Sequence, residues 1–596
     1  MWYNGTQQYY LYTDATGAEY VLDQNNGSNV WSSLQGIYVW YDANLDILHF
    51  RDGSFWNMTV QSASVEQDAG TLYPSQIEDP NGNFISLVYM PGAGCNYGCV
   101  WNQSSRIFTI DDARGIGTQQ IFATYYLAWS GSGIPHLTAL VNYIGTNEYY
   151  GFTTASQSLV DPFLSQSYGT GTGTVLQSMS TVAGSYQFLY NSSAEMTKMT
   201  NPLGGWLKWL YITQHYSART YRGVWQRSVN SGGNSGYDDM VYIGLGNNQN
   251  WTSQAVVTNN NSLAQTLWNF STASDYTAGL LTGYNETDLN GNHKRKFYSW
   301  AQSSSGNPYV SSVTTNLDST SINTTTQQVD AYGNLTQQQI TDFSGSPTGT
   351  RTYNMTYTAS QYWYAPLYIL NRLVTATVNG VTLISIGYDG CPYGATSATS
   401  YHDSRYNTGF YFRGNPSSVS ALGGTTTACY DTAGVPVQVG NTSGQSVGLQ
   451  TDSTTNYSLP TVIQPNGNSS MQSTATYLSS WAPASLTGPN GNTGTTTYDS
   501  SGRPAQTTTP DGAVTTYTYS YSPGANTQTA TLDGRWQSTT IDGFGRTIQV
   551  QKGNGSTVVS TVQTQYAPAG TVPLGMIASV SQPFSPGANP VWTTYT

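Results

Sequence analysis

The strongest constraint on this chain is a short pattern that recurs through its C-terminal part. Each copy combines an Asp with a Gly one to three residues later. The copies are Tyr498-Asp499 with Gly502-Arg503, then Asp511-Gly512, then Asp533-Gly534, and then Asp542 with Gly545-Arg546. Asp511 and Asp533 are 22 residues apart, and Asp499 and Asp542 are 43 apart, close to twice that distance. A period of about 20 to 25 residues indicates one supersecondary unit that is copied along the chain.

The residues in and between these turns predict β-hairpins. Asp-Gly dipeptides favour tight hairpin turns, because both residues tolerate positive φ at the central turn positions. The segment 513–519 between two turns is rich in Thr, Val and Tyr, which alternate along it. Such residues favour strands of a sheet with two different faces. We therefore expect an all-β protein in which serial hairpins form one long antiparallel sheet.

The regularity of the pattern changes along the chain and predicts three regions. Residues 1–110 form a hairpin-rich N-terminal region, with dense turn signals and aromatic strands. Residues 111–320 keep the strand composition without a clear period, and we expect an irregular β region continuous with the sheet. A short helical turn is predicted within 262–270. From 321 to 596 the pattern returns as a hairpin array, in which the first copies are Asp330 with Gly333 and Asp431 with Gly434.

Composition indicates an ordered protein that does not bind nucleic acid. Only 8% of the 596 residues are charged, but the chain contains 47 Tyr, 16 Trp and 15 Phe, which can bury a large area. The net charge is −12 and no basic stripe is present, so nucleic acid is not an expected partner. There is no run of 18 apolar residues, and no membrane span is expected.

The two ends of the sequence predict a fragment of a longer protein. The first residues lack the charged and apolar regions of a signal peptide. The chain opens and closes on strand-like sequence, which is an unusual place for a natural terminus. The signal region would then be missing from this fragment, so its absence says little about where the protein is located.

Four cysteines leave the disulfide state open. Cys95 and Cys99 flank a tight three-residue loop and could close as a local disulfide. Cys391 and Cys429 could pair only if adjacent hairpins bring them together. Isolated thiols are the alternative for both pairs. A zinc site would need a second ligand pair at suitable spacing, and the sequence has none.

Candidate catalytic and ligand-binding groups are few. Most carboxylates lie in turns, where an Asp side chain bonds to its own backbone, so a structural role accounts for them. The five histidines are far apart, and none lies in a metalloprotease or hydrolase motif. Residues 42–46 place oxygen ligands at alternate positions, as a calcium loop does. Ile47 and Gly53, however, stand where such a loop needs Gly and Glu. We expect no enzyme activity, no metal and no cofactor.

The recurring turns resemble the Rhs/YD-repeat proteins of bacteria. Their signature is a Tyr-Asp turn, then Gly-Arg or Gly-Asn, then an extended stretch, and the match is specific over residues 329–550. The resemblance implies a β-sheet ribbon that spirals into a hollow shell around a C-terminal toxin, carried by secretion systems or displayed on cells. It therefore implies an extracellular or cell-surface location. The residues expected to build its turns are Asp330, Gly333, Asp431, Gly434, Asp499, Gly502, Arg503, Asp511, Gly512, Asp533, Gly534, Asp542, Gly545 and Arg546.

Two functions of different class follow. The first is a structural, encapsulating segment that shields or presents a C-terminal effector absent from this chain. Its partners would be that effector and components of a secretion system. The alternative is a cell-surface adhesin or carbohydrate-binding scaffold that uses exposed aromatic rings and has glycans as partners. A glycoside hydrolase with paired carboxylates has no motif in its support.

Overall fold

The computed structural model describes most of the chain, in ranges separated by short gaps. The described residues are 2–3, 8–95, 98–112, 124–130, 134–142, 148–163, 170–216, 220–232, 238–246, 252–260, 263–288, 291–318, 321–343, 349–391, 402–521, 526–567 and 575–595. The chain forms two units, each assembled from segments that are separated in the sequence. Unit 1 comprises 1–145, 299–314 and 322–492, and unit 2 comprises 146–298, 315–321 and 493–596.

Nearly all regular structure in unit 1 is β. Its strands are β1 (Trp2–Tyr3), β2 (Gln8–Thr13), β3 (Glu19–Leu22), β4 (Gln24–Asn25), β5 (Val30–Ser32), β6 (Val39–Asp42), β7 (Ile47–Phe50), β8 (Phe55–Asn57), β9 (Val60–Gln61), β10 (Leu72–Tyr73), β11 (Gln76–Glu78), β12 (Phe84–Tyr89), β13 (Ile107–Asp112), β14 (Thr124–Trp129), β15 (Leu137–Asn142), β29 (Leu335–Thr341), β30 (Thr350–Tyr357), β31 (Leu373–Val378), β32 (Val381–Tyr388), β33 (Pro416–Ala421), β34 (Gly424–Tyr430), β35 (Pro436–Asn441), β36 (Ser446–Thr451), β37 (Pro460–Pro465), β38 (Ser473–Tyr477) and β39 (Pro483–Thr487). Short 3-10 helices occur at Thr358–Ser360, Ala365–Leu367, Ser453–Thr455 and Ser469–Met471.

Unit 2 is built in the same way. Its strands are β16 (Glu148–Val160), β17 (Thr170–Thr181), β18 (Gly184–Tyr190), β19 (Met196–Thr200), β20 (Trp206–His215), β21 (Thr220–Asn230), β22 (Asp239–Gly246), β23 (Gln254–Asn259), β24 (Gln265–Phe270), β25 (Leu281–Thr287), β40 (Thr493–Tyr498), β41 (Pro504–Thr508), β42 (Val514–Ser520), β43 (Asn526–Leu532), β44 (Arg535–Ile541), β45 (Thr547–Asn554), β46 (Thr557–Tyr566), β47 (Ile577–Ser581) and β48 (Trp592–Thr594). The strands that include a boundary between the units are β26 (His293–Gln302), β27 (Pro308–Leu317) and β28 (Ser321–Val329).

Strands that are consecutive in the sequence pair antiparallel within each unit. In unit 2, β42 pairs with β43, β43 with β44 and β44 with β45. Short turns keep sequential strands adjacent, which favours this arrangement. Unit 1 departs from it in its N-terminal part, where β1, β2 and β3 form a separate sheet and β4 pairs with β5. In the same part β8 pairs with β11, while β9 and β10 form a hairpin of their own. The prediction of an all-β chain of serial hairpins in a long antiparallel sheet is confirmed.

The register of many strand pairs shifts by one residue next to a turn. The shift falls between Cys429 and Tyr430 in the β34–β35 pair and between Thr497 and Tyr498 in the β40–β41 pair. A bulge of this kind inserts one extra residue and bends the strand. The residue after the shift is the one that leads into the turn, so the bulge and the turn form a single local feature.

The N-terminal part of unit 1 contains the densest apolar core. Buried Leu22, Trp31, Val39, Tyr41 and Leu48 form one cluster, against which partly buried side chains of neighbouring strands pack. A second, smaller cluster contains Val60, Leu87 and Tyr89. The ring of Tyr10 contacts both Trp31 and Tyr41, with centroids 5.4 and 4.8 Å away.

The expected helical turn within 262–270 is wrong where the structure describes the segment. Gln265–Phe270 forms β24, which pairs with β23 on one side and β25 on the other. Thr266 in this strand is buried. Ser262 lies outside the described residues.

Candidate functional site

The turn at 499–503 shows how an Asp organises the recurring unit. One carboxylate oxygen of Asp499 accepts hydrogen bonds from the backbone N–H groups of Ser501 at 2.9 Å and Arg503 at 3.0 Å. The N–H of Gly502 donates to the carbonyl of Asp499 at 3.0 Å. Gly502 has φ of 75°, a left-handed conformation that favours glycine. The Asp therefore folds the four residues after it, and the Gly permits the chain to reverse.

The same geometry recurs at other predicted turn residues. Asp330, Asp431 and Asp542 each accept from the backbone N–H groups two and four residues later, at 2.9 to 3.0 Å. The glycines three residues after them are Gly333, Gly434 and Gly545, with φ of 75°, 80° and 80°. Asp14 and Asp79, which precede Gly17 and Gly82, form the same hydrogen bonds in the N-terminal region.

The fifth residue of the turn satisfies the second carboxylate oxygen. Arg503 Nε donates to Asp499 Oδ2 at 2.8 Å, and Arg546 Nε donates to Asp542 Oδ2 at 2.8 Å. In the 330–334 turn the side-chain amide of Asn334 is the donor, and it lies 2.8 Å from Asp330 Oδ2. The choice between Gly-Arg and Gly-Asn in the repeat is thus a choice between two donors for one acceptor.

The arginines also connect each turn to the next hairpin. The guanidinium of Arg503 lies 4.3 Å from the ring centroid of Tyr519, and that of Arg546 lies 4.3 Å from Tyr566. A cation over an aromatic face is attracted by about 0.5–1 kcal/mol at an exposed site. Arg503 also lies 5.3 Å from the ring centroid of Tyr521. Each Arg therefore binds its own Asp and at least one tyrosine that follows it in the sequence.

Two predicted turn pairs have a different geometry. Asp533 and Gly534 have φ of 48° and 77°, and they form a two-residue hairpin between β43 and β44. In the turn before Val514, Thr509 takes the position of the organising Asp, because its Oγ1 accepts from the N–H of Ala513 at 3.1 Å. Asp511 lies in the middle of that turn, where a hydrogen bond with the Thr509 side chain lowers its pKa. Gly512 has φ of 89°.

In eight hairpins a tyrosine hydroxyl donates to a carbonyl oxygen 14 to 22 residues earlier in the chain, a contact that was not predicted from the sequence. Tyr388 donates to the carbonyl of Leu373 at 2.7 Å, and Tyr430 donates to that of Pro416 at 2.9 Å. The other pairs are Tyr89 with Pro74, Tyr211 with Met196, Tyr357 with Leu335, Tyr477 with Pro460, Tyr519 with Pro504 and Tyr566 with Thr547. The separations of 14 to 22 residues were a signal available in the sequence.

In unit 1, turns that are distant in sequence contact each other. The amide of Asn83 donates to the carbonyl of Ala433, and the amide of Asn415 donates to Asn81 Oδ1 at 2.6 Å. The backbone N–H of Asp403 donates to the carbonyl of Gly82 at 2.9 Å. The 79–83 turn is thereby fixed between the 431–435 turn and the segment that begins at 402.

Arg413 lies at the centre of these contacts and is fully buried. Its guanidinium donates to carbonyl oxygens from both turns and from the intervening loop. The acceptors are the carbonyls of Asn81, Thr432, Tyr406, Asn407 and Phe410. A guanidinium supplies five N–H donors in a fixed plane, so it can satisfy acceptors from several segments at once.

Unit 2 contains a comparable contact between turns. The amide of Asn201 donates to the carbonyl of Gly543 at 2.7 Å, and the N–H of Gly543 donates to the carbonyl of Ser231 at 2.6 Å. A Cβ on Gly543 would lie 2.3 Å from that Ser231 oxygen, so only glycine fits. The turn that carries Asp542 is therefore a contact point as well as a reversal of the chain.

A buried carboxyl lies beside this network in unit 1. The Glu78 side chain is 0% exposed, and its nearest cationic group is Arg405 Nη2, 3.7 Å away. Burial, together with the charge of Asp403, raises the pKa of Glu78 to about 8. Arg405 is paired more closely with Asp403, at 2.5 Å, and the pKa of that carboxyl is lowered. Burial also raises the pKa of Asp431, which has Val435 where other turns have Arg or Asn.

An aromatic cleft of about 170 Å³ opens next to Glu78 and Arg405. Aromatic rings from separate segments form much of its wall, namely His49, Phe55, Tyr368, Tyr406, Phe410 and Phe412. His49 stacks on Tyr368 with ring centroids 4.1 Å apart. Burial lowers the pKa of His49 to about 4, so its imidazole is neutral at pH 7.

The cysteines form two pairs. Cys95 and Cys99 are bonded with Cα atoms 5.7 Å apart, and Cys391 and Cys429 are bonded with Cα atoms 5.3 Å apart. Among the residues that the structure describes, no three His, Cys, Asp or Glu side chains are grouped to hold a metal ion. The described segments also contain no helix with the length and apolarity needed to cross a membrane.

Comparison with known proteins gives structural likenesses only. No family model and no curated protein matches the chain. A mutant of the Photorhabdus luminescens Tc holotoxin pore aligns over 88% of this chain at 12% identity with a TM-score of 0.38. A crystal structure of TcdB2-TccC3-TEV aligns over 96% of this chain at 11% identity with a TM-score of 0.41. A porin-like protein from Bacteroides uniformis aligns over 64% of the chain at 11% identity with a TM-score of 0.15.

The chain covers only part of the two toxin structures. It spans 26% of the matched chain in the holotoxin pore and 33% in the TcdB2-TccC3-TEV structure. These TM-scores are too low to carry an argument, so the fold assignment rests on the chain's own strand pairing.

Proposed function

We propose that this chain is a structural segment of an Rhs/YD-repeat shell that shields or presents an effector domain. That effector would follow the segment in the full-length protein. The observation that carries the proposal is the repeated unit itself, in which an Asp turn, a fifth-position donor and a tyrosine hydroxyl recur from hairpin to hairpin. Each tyrosine ties its hairpin to an earlier strand, so the sheet can extend by adding identical units.

Containment is the mechanism that such a sheet supports. Strands paired on both sides present few free backbone N–H and C=O groups, and a wall made of them offers few edges for pairing with an enclosed polypeptide. The disulfides Cys95–Cys99 and Cys391–Cys429 favour an oxidising compartment, in agreement with an extracellular or cell-surface location. Components of a secretion system are the expected delivery partners.

The test begins with the reading frame beyond the codon for Thr596. The proposal expects further repeats and then an unrelated domain. In the full-length product, limited proteolysis should leave that domain intact, whereas the same protein unfolded in urea should be digested throughout. A stop codon directly after Thr596, or equal cleavage of the downstream domain in both conditions, would overturn the encapsulating function.

A carbohydrate-binding scaffold is the second candidate, because unit 1 exposes large aromatic rings. Tyr362 is 79% exposed and Trp363 is 60% exposed. Exposed aromatic patches of this kind are typical of binding surfaces.

A further inference from the structure

Two of the long connections between strands of unit 1 are rich in aromatic residues. The first, 358–372, joins β30 to β31 and carries Tyr362 and Trp363. The second joins β32 to β33, and its described part from 402 includes Tyr411, which is 52% exposed. Neither connection is a tight Asp-Gly turn of the kind that links neighbouring strands.

The two connections pack on each other through their aromatic rings. Trp363 stacks on Phe412 with centroids 5.2 Å apart and planes within 1° of parallel. Tyr364 contacts the edge of Phe412 at 5.6 Å and donates from its hydroxyl to Asp389 at 2.9 Å. One face of Trp363 is therefore supported by the protein, while most of the residue is open to solvent.

Phe412 also belongs to the wall of the aromatic cleft, so the exposed rings and the cleft form one continuous surface. We propose that this surface is a binding site for a neutral oligosaccharide. The site comprises the cleft, in which the Arg405 guanidinium lies 5.9 Å from the ring centroid of Phe55, and the platform of Tyr362 and Trp363, which reaches the cleft through Phe412. The proposal rests on the second candidate function, the carbohydrate-binding scaffold, and does not depend on whether the chain encloses an effector.

The charges of the site favour an uncharged ligand. Arg405 is the cation at the mouth of the cleft, and Asp403 neutralises it at 2.5 Å. His49 is neutral at pH 7 because burial lowers its pKa to about 4, and burial keeps Glu78 largely protonated there by raising its pKa to about 8. Among the described residues that line the cleft, Arg405 is the only Lys or Arg, so an anionic ligand would meet a cation that is already paired with Asp403, and a cationic ligand would compete with Arg405 for the same carboxylate.

The shape and polarity of the site fit pyranose rings. Tyr362 meets Trp363 edge to face with ring centroids 5.0 Å apart, and both residues are mostly exposed. A pyranose presents an apolar C–H face, which can lie against the exposed parts of these two rings, and hydroxyl groups at its rim. Arg405, with a side chain 65% exposed, can donate to such hydroxyls. The cleft of about 170 Å³ is small for a ligand pocket. It therefore suits one ring of an oligomer whose neighbouring rings rest on the platform.

The experiment is isothermal titration of the whole chain with cellotetraose, chitotetraose, maltotetraose and, as the charged control, tetragalacturonate. We expect at least one neutral tetramer to bind with a Kd on the order of 1 mM or tighter. Trp363→Ala and Tyr362→Ala should each weaken that binding, the former by at least about tenfold. Both side chains are mostly exposed, so both variants should unfold at the wild-type temperature.

Trp101→Ala is the matched control, because Trp101 is a 46% exposed tryptophan of unit 1 outside the cleft. It should leave binding unchanged. The proposal is overturned if no neutral tetramer binds, if only tetragalacturonate binds, if Trp363→Ala binds like the wild type, or if Trp101→Ala weakens binding to the same degree.

Discussion

The side-chain amide of Asn83 donates to the carbonyl oxygen of Ala433 at 2.9 Å, although the two residues are 350 positions apart. The same amide donates to Asp79 Oδ2 at 2.9 Å. One side chain thus completes its own turn and joins that turn to a distant one. Asn334 repeats the arrangement, with Asp330 Oδ2 at 2.8 Å and the carbonyl of Leu370 at 2.9 Å. The fifth position of the turn is therefore where local and long-range structure meet in unit 1.

This double contact predicts a stability loss for Asn83→Ala. The substitution leaves the Ala433 carbonyl and one oxygen of Asp79 without their donor, which should lower the free energy of unfolding by about 1–3 kcal/mol. Asn292→Ala is the control, since Asn292 donates to Asp288 Oδ2 at 2.7 Å but lies exposed. Asn292→Ala should lower the free energy of unfolding by no more than about 0.5 kcal/mol. Denaturant titration measures both, and equal losses would contradict the role of the long-range contact.

Two glycines of the turns should differ in how they respond to alanine. Gly512 has φ of 89° and open space around it, so Gly512→Ala should cost only the backbone strain, about 1 kcal/mol. Gly434 has φ of 80°, and a Cβ there would lie 2.7 Å from the side chain of Asn81. Gly434→Ala should therefore cost about 2–4 kcal/mol, because steric overlap adds to strain. A smaller loss at Gly434 than at Gly512, measured by thermal unfolding, would exclude the close approach of the two turns.

The fold was predictable from the sequence because its signals are local. The Asp499 and Asp542 turns depend on residues within four positions, and the strands between them follow from Thr, Val and Tyr alternation. A local pattern can also mislead. In the 509–513 turn, Thr509 accepts the hydrogen bond that an Asp accepts in other turns, and Asp511 lies in the middle of the turn. A search for Asp-Gly pairs alone assigns that turn bond to the wrong residue.

The contacts between distant segments could not be predicted in this way. Nothing in the neighbourhood of Arg413 indicates that its acceptors include Asn81 and Thr432, because those carbonyls come from turns far away in the sequence. The burial of Glu78 is equally a product of the segments packed around it. The number of aromatic residues is evident from the sequence. The stacking of Trp363 on Phe412 is not, because it depends on how two separate connections pack.

Arg413→Lys should be strongly destabilising although the charge is kept. A lysine ammonium has three donors on a flexible stem and cannot reproduce the planar set of five carbonyl contacts that Arg413 makes. Buried carbonyls left without donors should lower the free energy of unfolding by about 2–4 kcal/mol. Arg351→Lys, at an exposed position in the same unit, should change it by less than about 0.5 kcal/mol. Comparable losses in the two variants would refute the central role of Arg413.

The stability of unit 1 should fall as the pH rises through the neutral range, because of Glu78. Burial and the nearby Asp403 raise its pKa from an ordinary 4.5 to about 8 in the folded protein, where Arg405, Asp79 and Tyr406 also face it. Between those two values the folded protein holds a proton that the unfolded chain has lost. Unfolding then takes place with proton release, so the free energy of unfolding decreases from pH 4.5 towards pH 8 and levels off above it.

Glu78→Gln should remove most of this slope, because glutamine stays neutral at every pH. Denaturant titrations at pH 5 and pH 8 should show a smaller difference for the variant than for the wild type, and a greater stability of the variant at pH 8. A residual slope of the same sign is expected from Asp431, whose pKa is also raised by burial. The pKa of Glu66 is lowered by its hydrogen bond with Arg106, so its contribution to the pH dependence of stability falls in the acidic range. If the exposed-site control Glu19→Gln reduced the slope as much as Glu78→Gln, the buried carboxyl would not be its source.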